Sequence, residues 1–452
     1  MKWTLAIAVM LFCYACSGSP SPTDGDSHID ATTADGSHVD GNTDDANGRD
    51  GDSSYISPCH GSLSAITGRT LAPNGMDPIP GVLVYIVPDS QVLPGAPDTV
   101  QCQMCGNPPS ALAGTQSGTD GSFSISGGML DNGGTYTVVF ESGGFRHVER
   151  HISVGMCSQL TLTAAQTTLP GANHGEDTIP RIAVAGFRTG GTRSTDVNDK
   201  FTKVLDAIGI TGYETFDPDR SGSNSGTGPD MITLLSDMTM LSHYQIVVVP
   251  CGALGAFTVR PHLTPMMISN LRAWLAAGGR LYASDLAYSL IDQSAPGAVT
   301  FTSGATAPDD PADVGVGITS GTSIPGTVDD ATLRSWLTGV GVLTGGATTI
   351  PVFELRDPWG AIDAIPDAEL TGLHGPAGVI LVSADVSWHT GSMGHHPLTV
   401  MVDVENASGA SCGRVVFTSY HVQSATSTTL TPQERVLEFL FFRLSTCIAV
   451  PG

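Results

Sequence analysis

Positive charge and long apolar runs are what this chain has least of. Lys and Arg together number 19 against 43 Asp and Glu, and only three are lysines, Lys2, Lys200 and Lys203. The formal net charge is −24. A surface of that sign repels phosphate backbones, so nucleic acid is not expected as a partner. Beyond the first residues no window reaches the roughly 20 apolar residues of a transmembrane helix. Metal-loop signatures are also missing. Neither "DGDSHIDATTADGSHVDGNTDDANGRDGD" nor "FDPDRSG" completes a D-x-D-x-D-G loop with a carboxylate at the twelfth position. Counted from Asp217, that position is Gly228. Both stretches read as acidic, solvated segments. Cys102-x-x-Cys105 has no second C-x-x-C to complete a zinc site. It runs into Gly106-Asn107-Pro108-Pro109, so no helix follows whose N-terminus would activate a thiol.

The opening residues, MKWTLAIAVMLFCYACSGSP, place Lys2 before an apolar core from Leu5 to Phe12, with Ala15 ahead of Cys16. The stretch resembles the signal peptide of bacterial lipoproteins, although Cys13 stands where that family prefers Leu. The resemblance implies a signal peptide over residues 1–15, lipid on Cys16, and anchoring to the bacterial cell envelope at the outer membrane or cell surface. Ordinary cleavage and secretion is the alternative. Residues 16–57 hold nine Asp and one Arg and almost nothing to bury. Such a segment cannot offset its ordering entropy and is expected to be a disordered tether.

Cysteine use fits export. Apart from Cys13 and Cys16, seven remain: Cys59, Cys102, Cys105, Cys157, Cys251, Cys412 and Cys447. In an oxidising compartment the first four are expected to form two disulfides, with connectivity open, and Cys412 with Cys447 a third. That leaves Cys251 as the odd one.

Residues 58–165 show short strands, turn signals about every ten residues and no helical period, which predicts a small antiparallel β-sandwich. Strands are expected at Val82–Val87, at Ser122–Ile125 after the Thr119-Asp120-Gly121 turn, and on both sides of Gly143-Gly144. Gly68, the run Pro78-Ile79-Pro80-Gly81-Val82-Leu83-Val84 and Asp120-Gly121-Ser122-Phe123 resemble the carboxypeptidase regulatory-like domain, a transthyretin-like sandwich. A cysteine-containing excursion between Pro88 and Ala113 departs from that pattern. The resemblance implies an accessory or ligand-presenting module of carbohydrate-binding-like fold. No H-x-x-E with a distal His is present, so no zinc carboxypeptidase is implied.

Residues 178–450 alternate strand and helix, which predicts a doubly wound parallel sheet. "RIAVAGF" and "IVVVPCGALG" read as buried strands. Ser194 or Thr195 is expected to cap a helix with the stripe Val197, Phe201, Val204, Leu205 and Ile208. Thr264, Pro265 and Gly278-Gly279 bracket a second helix, and Pro432 to Leu444 reads as a last amphipathic one. Residues 292–410 read as an irregular, β-rich insertion.

"YQIVVVPCGALG" followed by "LRAWLAAGGRLYASDLAYSL" resembles the class I glutamine amidotransferase-like, flavodoxin-like fold. In active relatives the first strand ends in a Pro-Gly-Gly loop supplying oxyanion amides, and the second in a G-x-C-x-G elbow carrying the nucleophile. Laid on this chain, Cys251 displaces a loop glycine and the elbow reads Ala283-Ser284-Asp285-Leu286-Ala287. Two alanines replace the glycines that relieve strain there, which argues against an active turn. His421 follows the last strand, but Gln423 stands where the family has a carboxylate.

Three candidate constellations result. Cys251 with His421 as base would make a thiol nucleophile; a half-buried packing thiol is the bland alternative. Asp285, His389, His395, His396 and His421 could converge on a metal at the sheet edge, although nothing in their spacing fixes this. Asp285, at a carboxyl edge, marks a ligand crevice. Taken together, the sequence reads as an exported, lipid-anchored multidomain protein. A β-sandwich is followed by a catalytically degenerate α/β domain with a binding or structural role. No cofactor is expected, and the expected partners are the membrane, through lipid, and an envelope glycan or protein. A hydrolase using Cys251, or a metal near Asp285 and His421, is the rival.

Overall fold

The computed structural model describes residues 58–59, 63–103, 105–106, 108, 110–185, 199–216, 230–251, 263–301, 323–353, 362–365, 378–387, 393–406, 408–420, 422 and 429–448. Residues 55–452 form one compact unit. Cys16 and the 16–57 segment lie outside the described residues.

The first strands make two small sheets. β1 (Ala65–Arg69), β4 (Ser122–Ser126) and β7 (Gln159–Thr161) form one, in the order β4-β1-β7. β2 (Leu83–Pro88), β3 (Ala113–Gln116), β5 (Gly134–Ser142) and β6 (Phe145–Val154) form the other, in the order β3-β2-β5-β6. Period-two alternation turns Phe123 and Ile125 inward between three exposed serines. Phe123 then meets Phe140 of β5 edge-on, centroids 5.6 Å apart, and joins the two sheets. One expectation is corrected: β1 pairs with β7 in parallel, so the arrangement is not wholly antiparallel. The chain reaches β7 only after crossing through the other sheet, and such a crossover permits a parallel partner where a hairpin would not.

A nine-stranded sheet follows. It contains β8 (Ile182–Ala185), β9 (Tyr213–Phe216), β10 (Ile246–Val249), β11 (Arg280–Ser284), β13 (Ser323–Val328), β14 (Thr349–Phe353), β16 (Gly378–Ser387), β17 (Met393–Glu405) and β18 (Ser411–Thr418). Five of these, in the order β18-β11-β10-β8-β9, run parallel, and β17, β16, β13 and β14 extend the sheet antiparallel from β18. The predicted insertion is corrected here. Among the described residues of 292–410, four strands belong to the main sheet, and β12 (Thr300–Phe301) with β15 (Ile362–Ala364) stands apart as a pair. The alternation that looked irregular is that of long antiparallel strands, covered differently on their two faces.

Seven helices accompany these strands among the described residues: α1 (Thr202–Ala207), α2 (Met231–Ser236), α3 (Met238–Leu241), α4 (Pro265–Ala276), α5 (Tyr288–Ser294), α6 (Ala331–Gly339) and α7 (Pro432–Ser445). The predicted cap of the first helix, Ser194 or Thr195, lies outside the described residues. Strand side chains alternate between two cores. Ile182, Val184, Ile246, Val248, Tyr282 and Val416 join the core of α1 and α7, while Ala183, Val247, Leu281, Ala283 and Phe417 join that of α2, α4 and α5. The parallel strands are therefore wound on both faces, and their sequences read as continuous apolar runs for that reason.

Local chemistry sets the helix limits. The Thr264 hydroxyl accepts from the Met267 N–H at 3.2 Å, with Pro265 at the first helical position. Past the end of α4, Gly278 has φ +114°, and a Cβ there would lie 2.3 Å from the Gln101 carbonyl oxygen. At α7 a capping box operates: Glu434 Oε2 accepts from the Thr431 N–H at 2.9 Å, and Thr431 Oγ1 accepts from the Glu434 N–H at 3.4 Å. The buried Glu434 carboxylate also receives Lys203 Nζ of α1 at 2.8 Å.

The two sheet regions share one hydrophobic core, which runs from Ile66 of β1 to Leu444 of α7. Phe145 packs against Phe441 and Phe442 at 6.2 and 6.0 Å, and Trp336 Nε1 donates to the Pro78 carbonyl at 2.7 Å. Gly143 turns the β5–β6 hairpin onto the end of α7, where a Cβ would stand 1.6 Å from the Ser445 carbonyl oxygen.

The disulfides reinforce this join. Cys59 pairs with Cys157, Cys102 with Cys412, and Cys105 with Cys447. The expected Cys412–Cys447 bridge is thus replaced by two bonds that tie the excursion after Pro88 to β18 and to the end of α7. Peptide mapping without reduction should recover these three pairs, and a Cys412–Cys447 peptide would contradict the fold. Replacing Cys105 and Cys447 together by Ser should cost about 2–4 kcal/mol in urea unfolding.

A carboxyl pair lies in the same join. Arg435 Nη1 stands 2.9 Å from Asp77 Oδ2 and 2.6 Å from Glu438 Oε2. Burial first, then the Asp77 charge, outweighs Arg435 and pushes the Glu438 carboxyl up to about 8. A carboxyl raised on folding binds its proton more tightly in the folded state. Its stabilising effect is therefore complete below the unfolded value, near 4.5, and is lost as pH rises toward 8. Glu438→Gln should match wild-type stability near pH 4.5 and become progressively more stable than wild type toward pH 8. Parallel stability–pH curves would contradict the assignment.

Candidate functional site

The parallel strands deliver their last residues to one edge, as an α/β sheet does where ligands bind. Cys251 follows β10, Ser284 ends β11, and Asp285 opens a short 3-10 turn that leads into α5. Asp285 has φ +45°, a left-handed conformation that Asp adopts more readily than most residues but that still costs of order 1–3 kcal/mol. The strained strand–turn–helix elbow is therefore present, although two alanines flank it where glycines were expected. The apex side chain is a carboxylate, and Asp285 is only 2 % exposed. The crevice marker of the sequence is thus a buried group.

Hydrogen bonds tie this edge together. Cys251 Sγ donates to Asp285 Oδ2 at 2.8 Å, and the Cys251 N–H donates to Ser284 Oγ at 2.9 Å. The Ser284 hydroxyl donates in turn to Asp199 Oδ2, and the other Asp199 oxygen accepts from the Val422 N–H at 2.8 Å. Asp199 is 1 % exposed. Its charge, second to burial, holds the neighbouring Tyr282 hydroxyl far above the usual phenol range. Tyr282 Oη pairs with Thr418 Oγ1 at 2.8 Å, linking β11 to β18.

Sequence reasoning missed Asp199. Its only signal was a carboxylate inside the predicted first helix, between Val197 and Phe201 of the apolar stripe, where an acidic residue reads as an ordinary surface feature. Nothing local marked it as the acceptor that joins the ends of β11 and β18.

The arrangement bears on nucleophilic chemistry in two ways. The Cys251 S–H is directed at the Asp285 carboxylate, so the thiol is engaged within the fold. The Cys251 amide, which the amidotransferase resemblance would assign to an oxyanion, already donates to Ser284. The predicted base, His421, lies outside the described residues.

The metal candidates are not brought together among the described residues. Asp285 is engaged with Cys251, and His389 and His421 fall outside the described residues. His395 Nδ1 meets Asp385 Oδ1 at 2.8 Å across the β16–β17 pair, and its Nε2 meets Ser383 Oγ at 2.8 Å. The adjacent His396 points to the opposite face of β17, toward Asp363 at 3.8 Å, where burial lowers its basicity. No group of three His, Cys, Asp or Glu able to hold a metal occurs among the described residues. The acidic loop from Asp217 to Gly228 also lies outside them.

No known protein family and no curated protein matches the chain. Among solved structures it is similar to a ThuA-like protein from Bacteroides uniformis, at 9% identity over 60% of this chain and 94% of that one, TM-score 0.32. It is similar to a ThuA-like protein from Parabacteroides merdae at 15% identity, over 57% and 86% of the two chains, TM-score 0.31. It is also similar to an exo-β-1,4-mannosidase from Opitutaceae bacterium strain TAV5 at 13% identity, over 60% and 36%, TM-score 0.26. Likeness at this level transfers no function.

The Cys251–Asp285 contact yields a direct expectation. Asn tolerates the left-handed position, so Asp285→Asn removes the charge while keeping the elbow. Iodoacetamide labelling of Cys251 at pH 8 should then accelerate roughly tenfold or more. Unchanged labelling would mean that the carboxylate does not restrain the thiol.

Proposed function

We propose that this chain is an envelope lipoprotein with a binding or structural role, anchored through Cys16 and held away from the membrane by residues 16–57. In this reading a carboxypeptidase regulatory-like sandwich is fused to a class I glutamine amidotransferase-like domain that no longer turns over substrate. The observation that carries the reading is the elbow. Its strained apex holds Asp285, whose carboxylate takes the Cys251 S–H. A nucleophile at that apex would need to face substrate with its attacking atom available, whereas this carboxylate is buried and engaged. Six cysteines in three disulfides agree with an oxidising compartment, where such bonds persist.

The rival hydrolase is separated from this reading by experiment. In cells, Cys16→Ser should abolish palmitate incorporation and release the protein from the membrane fraction; retention without Cys16 would remove the lipid anchor from the reading. Cys251→Ala and Asp285→Asn should leave retention on isolated envelopes within about twofold of wild type, since neither group is assigned to ligand. Loss of a measurable hydrolytic turnover in either variant would overturn the inactive assignment.

A further inference from the structure

The inference rests on the reading of the chain as a binding protein and names the chemistry of what it binds. At the start of β11 and beside it on β18, on the sheet edge opposite Asp285, three guanidinium groups gather. Arg280 opens β11 in register with Arg414 of β18, and Arg443 stands in the last turn of α7. Two of them are engaged. Arg414 grips the Asp403 carboxylate, with Nη2 3.1 Å from Oδ2, and its Nη1 donates to the Arg443 carbonyl at 2.7 Å and to Thr446 Oγ1 at 2.8 Å. Arg280, 3 % exposed, donates through Nη1 to the Cys412 carbonyl at 2.6 Å.

Arg443 differs. Its Nε is buried and has no hydrogen-bond partner among the described residues. Of the carboxylates acting on it, Asp403 is held by Arg414, and Asp330 caps α6 by accepting from the Leu333 N–H at 2.6 Å. Arg280, Arg414 and Arg443 thus share Asp403 and Asp330, within a chain of net charge −24. Burial first, then Arg414, lowers the basicity of Arg443, and an anion at its side would oppose that. A helix C-terminus favours a cation at this position, but it leaves a buried N–H donor unsatisfied, which costs about 1–3 kcal/mol.

Arg443 and Arg414 line a cavity of about 250 Å³. That is below the roughly 300–1,000 Å³ of drug-sized sites and far above the 10–15 Å³ one water needs. It adjoins a second cavity of about 360 Å³ that shares Gly81, Cys105, Thr446 and Cys447 and is also lined by Arg146 and by Glu141, whose carboxyl is pushed up toward its neutral form by burial. Arg146 has a buried, unpartnered Nε of its own.

We propose that this seam binds a small ligand bearing an oxyanion, a carboxylate or a sulfate, seated against Arg443 with the rest of the ligand in the larger cavity. The planar guanidinium fork matches either group bidentately, and a desolvated, charge-assisted contact is stronger than a surface one.

The test uses the full chain at pH 7 and constant ionic strength, titrated calorimetrically with sodium sulfate, sodium malonate or sodium chloride. Saturable heat with sulfate or malonate but not chloride is expected, and whichever of the two binds more tightly identifies the favoured group. Arg443→Met, which keeps the packing stem, should weaken binding about tenfold or more, while Arg150→Met, whose guanidinium is already engaged by the Glu176 carboxylate, should not. If Arg443→Met does not fold, phenylglyoxal modification of wild type decides: sulfate or malonate should slow modification of Arg443 several-fold and leave Arg150 unchanged. Equal heats from all three salts, undiminished binding by a folded Arg443→Met, or unprotected Arg443 would each overturn the proposal. Asp285→Asn should bind the anion normally, so failure here and failure of the inactive-elbow reading are separable.

Discussion

One helix constrains the rest of the molecule. In α7 eleven of fourteen residues are buried, among them Phe439, Phe441 and Phe442. A helix buried on nearly all sides, with Gln433, Glu434 and Glu438 among its buried residues, has little face to give to water and must be covered all round. The nine-stranded sheet covers one side and the small sheets cover the other through Phe145. Each buried Phe contributes roughly 1.5–3 kcal/mol, so separating the two regions would expose more apolar surface than either could hold alone. This is the physical reason residues 55–452 form one compact unit instead of two beads on a string. It also explains the polar groups inside the join. Lys203 with Glu434, and Arg435 with Asp77, are pairs that burial forces into contact, because an uncompensated charge there would be far costlier, while burial pushes the neighbouring Glu438 toward its neutral form.

The disulfides follow the same logic. Cys102–Cys412 and Cys105–Cys447 span separations of 310 and 342 residues. The C-x-x-C pair is thus neither a redox motif nor half of a zinc site, but two adjacent anchors for one loop. The close approaches of Gly278 to Gln101 and of Gly143 to Ser445 lie along the same seam. Cross-links placed where two regions already share a core restrict the chain further in its unfolded state.

What could be read from the sequence depended on range. Period-two runs and capped helices declared themselves: Phe123 between its serines, the Val-rich β10, and Pro265 behind Thr264 are all local patterns. Cysteine pairing was not local. Cys412 and Cys447 look like partners because they are the last two, whereas each lies nearer in space to a residue more than 300 positions away. The strands within residues 292–410 were obscured in another way, since long antiparallel strands with different neighbours on each face blur the alternation that identifies them. At the edge, Cys251 and Asp285 were both visible as residues at strand ends, but their contact was not. Asp199 was invisible as a site residue, because its role depends on the Ser284 hydroxyl at the end of β11 and the Val422 amide beyond β18, both far away in sequence.

The two edges of the sheet carry opposite electrostatics, and this bears on where a ligand would be held. At the carboxyl edge, Asp199 and Asp285 are buried acceptors whose donors come from within the fold, Ser284, Val422 and Cys251. Such a network fixes backbone geometry, including the left-handed turn at Asp285, and the contacts described there are internal. At the amino edge the imbalance runs the other way, with Arg280, Arg414 and Arg443 close together and the buried Arg443 Nε left without a partner among the described residues. A buried donor left without an acceptor costs about 1–3 kcal/mol, and Arg443 carries one while its side chain lines the cavity. On these grounds recognition belongs at the seam, while the elbow keeps the strained geometry of its fold with its acidic and thiol groups turned toward each other.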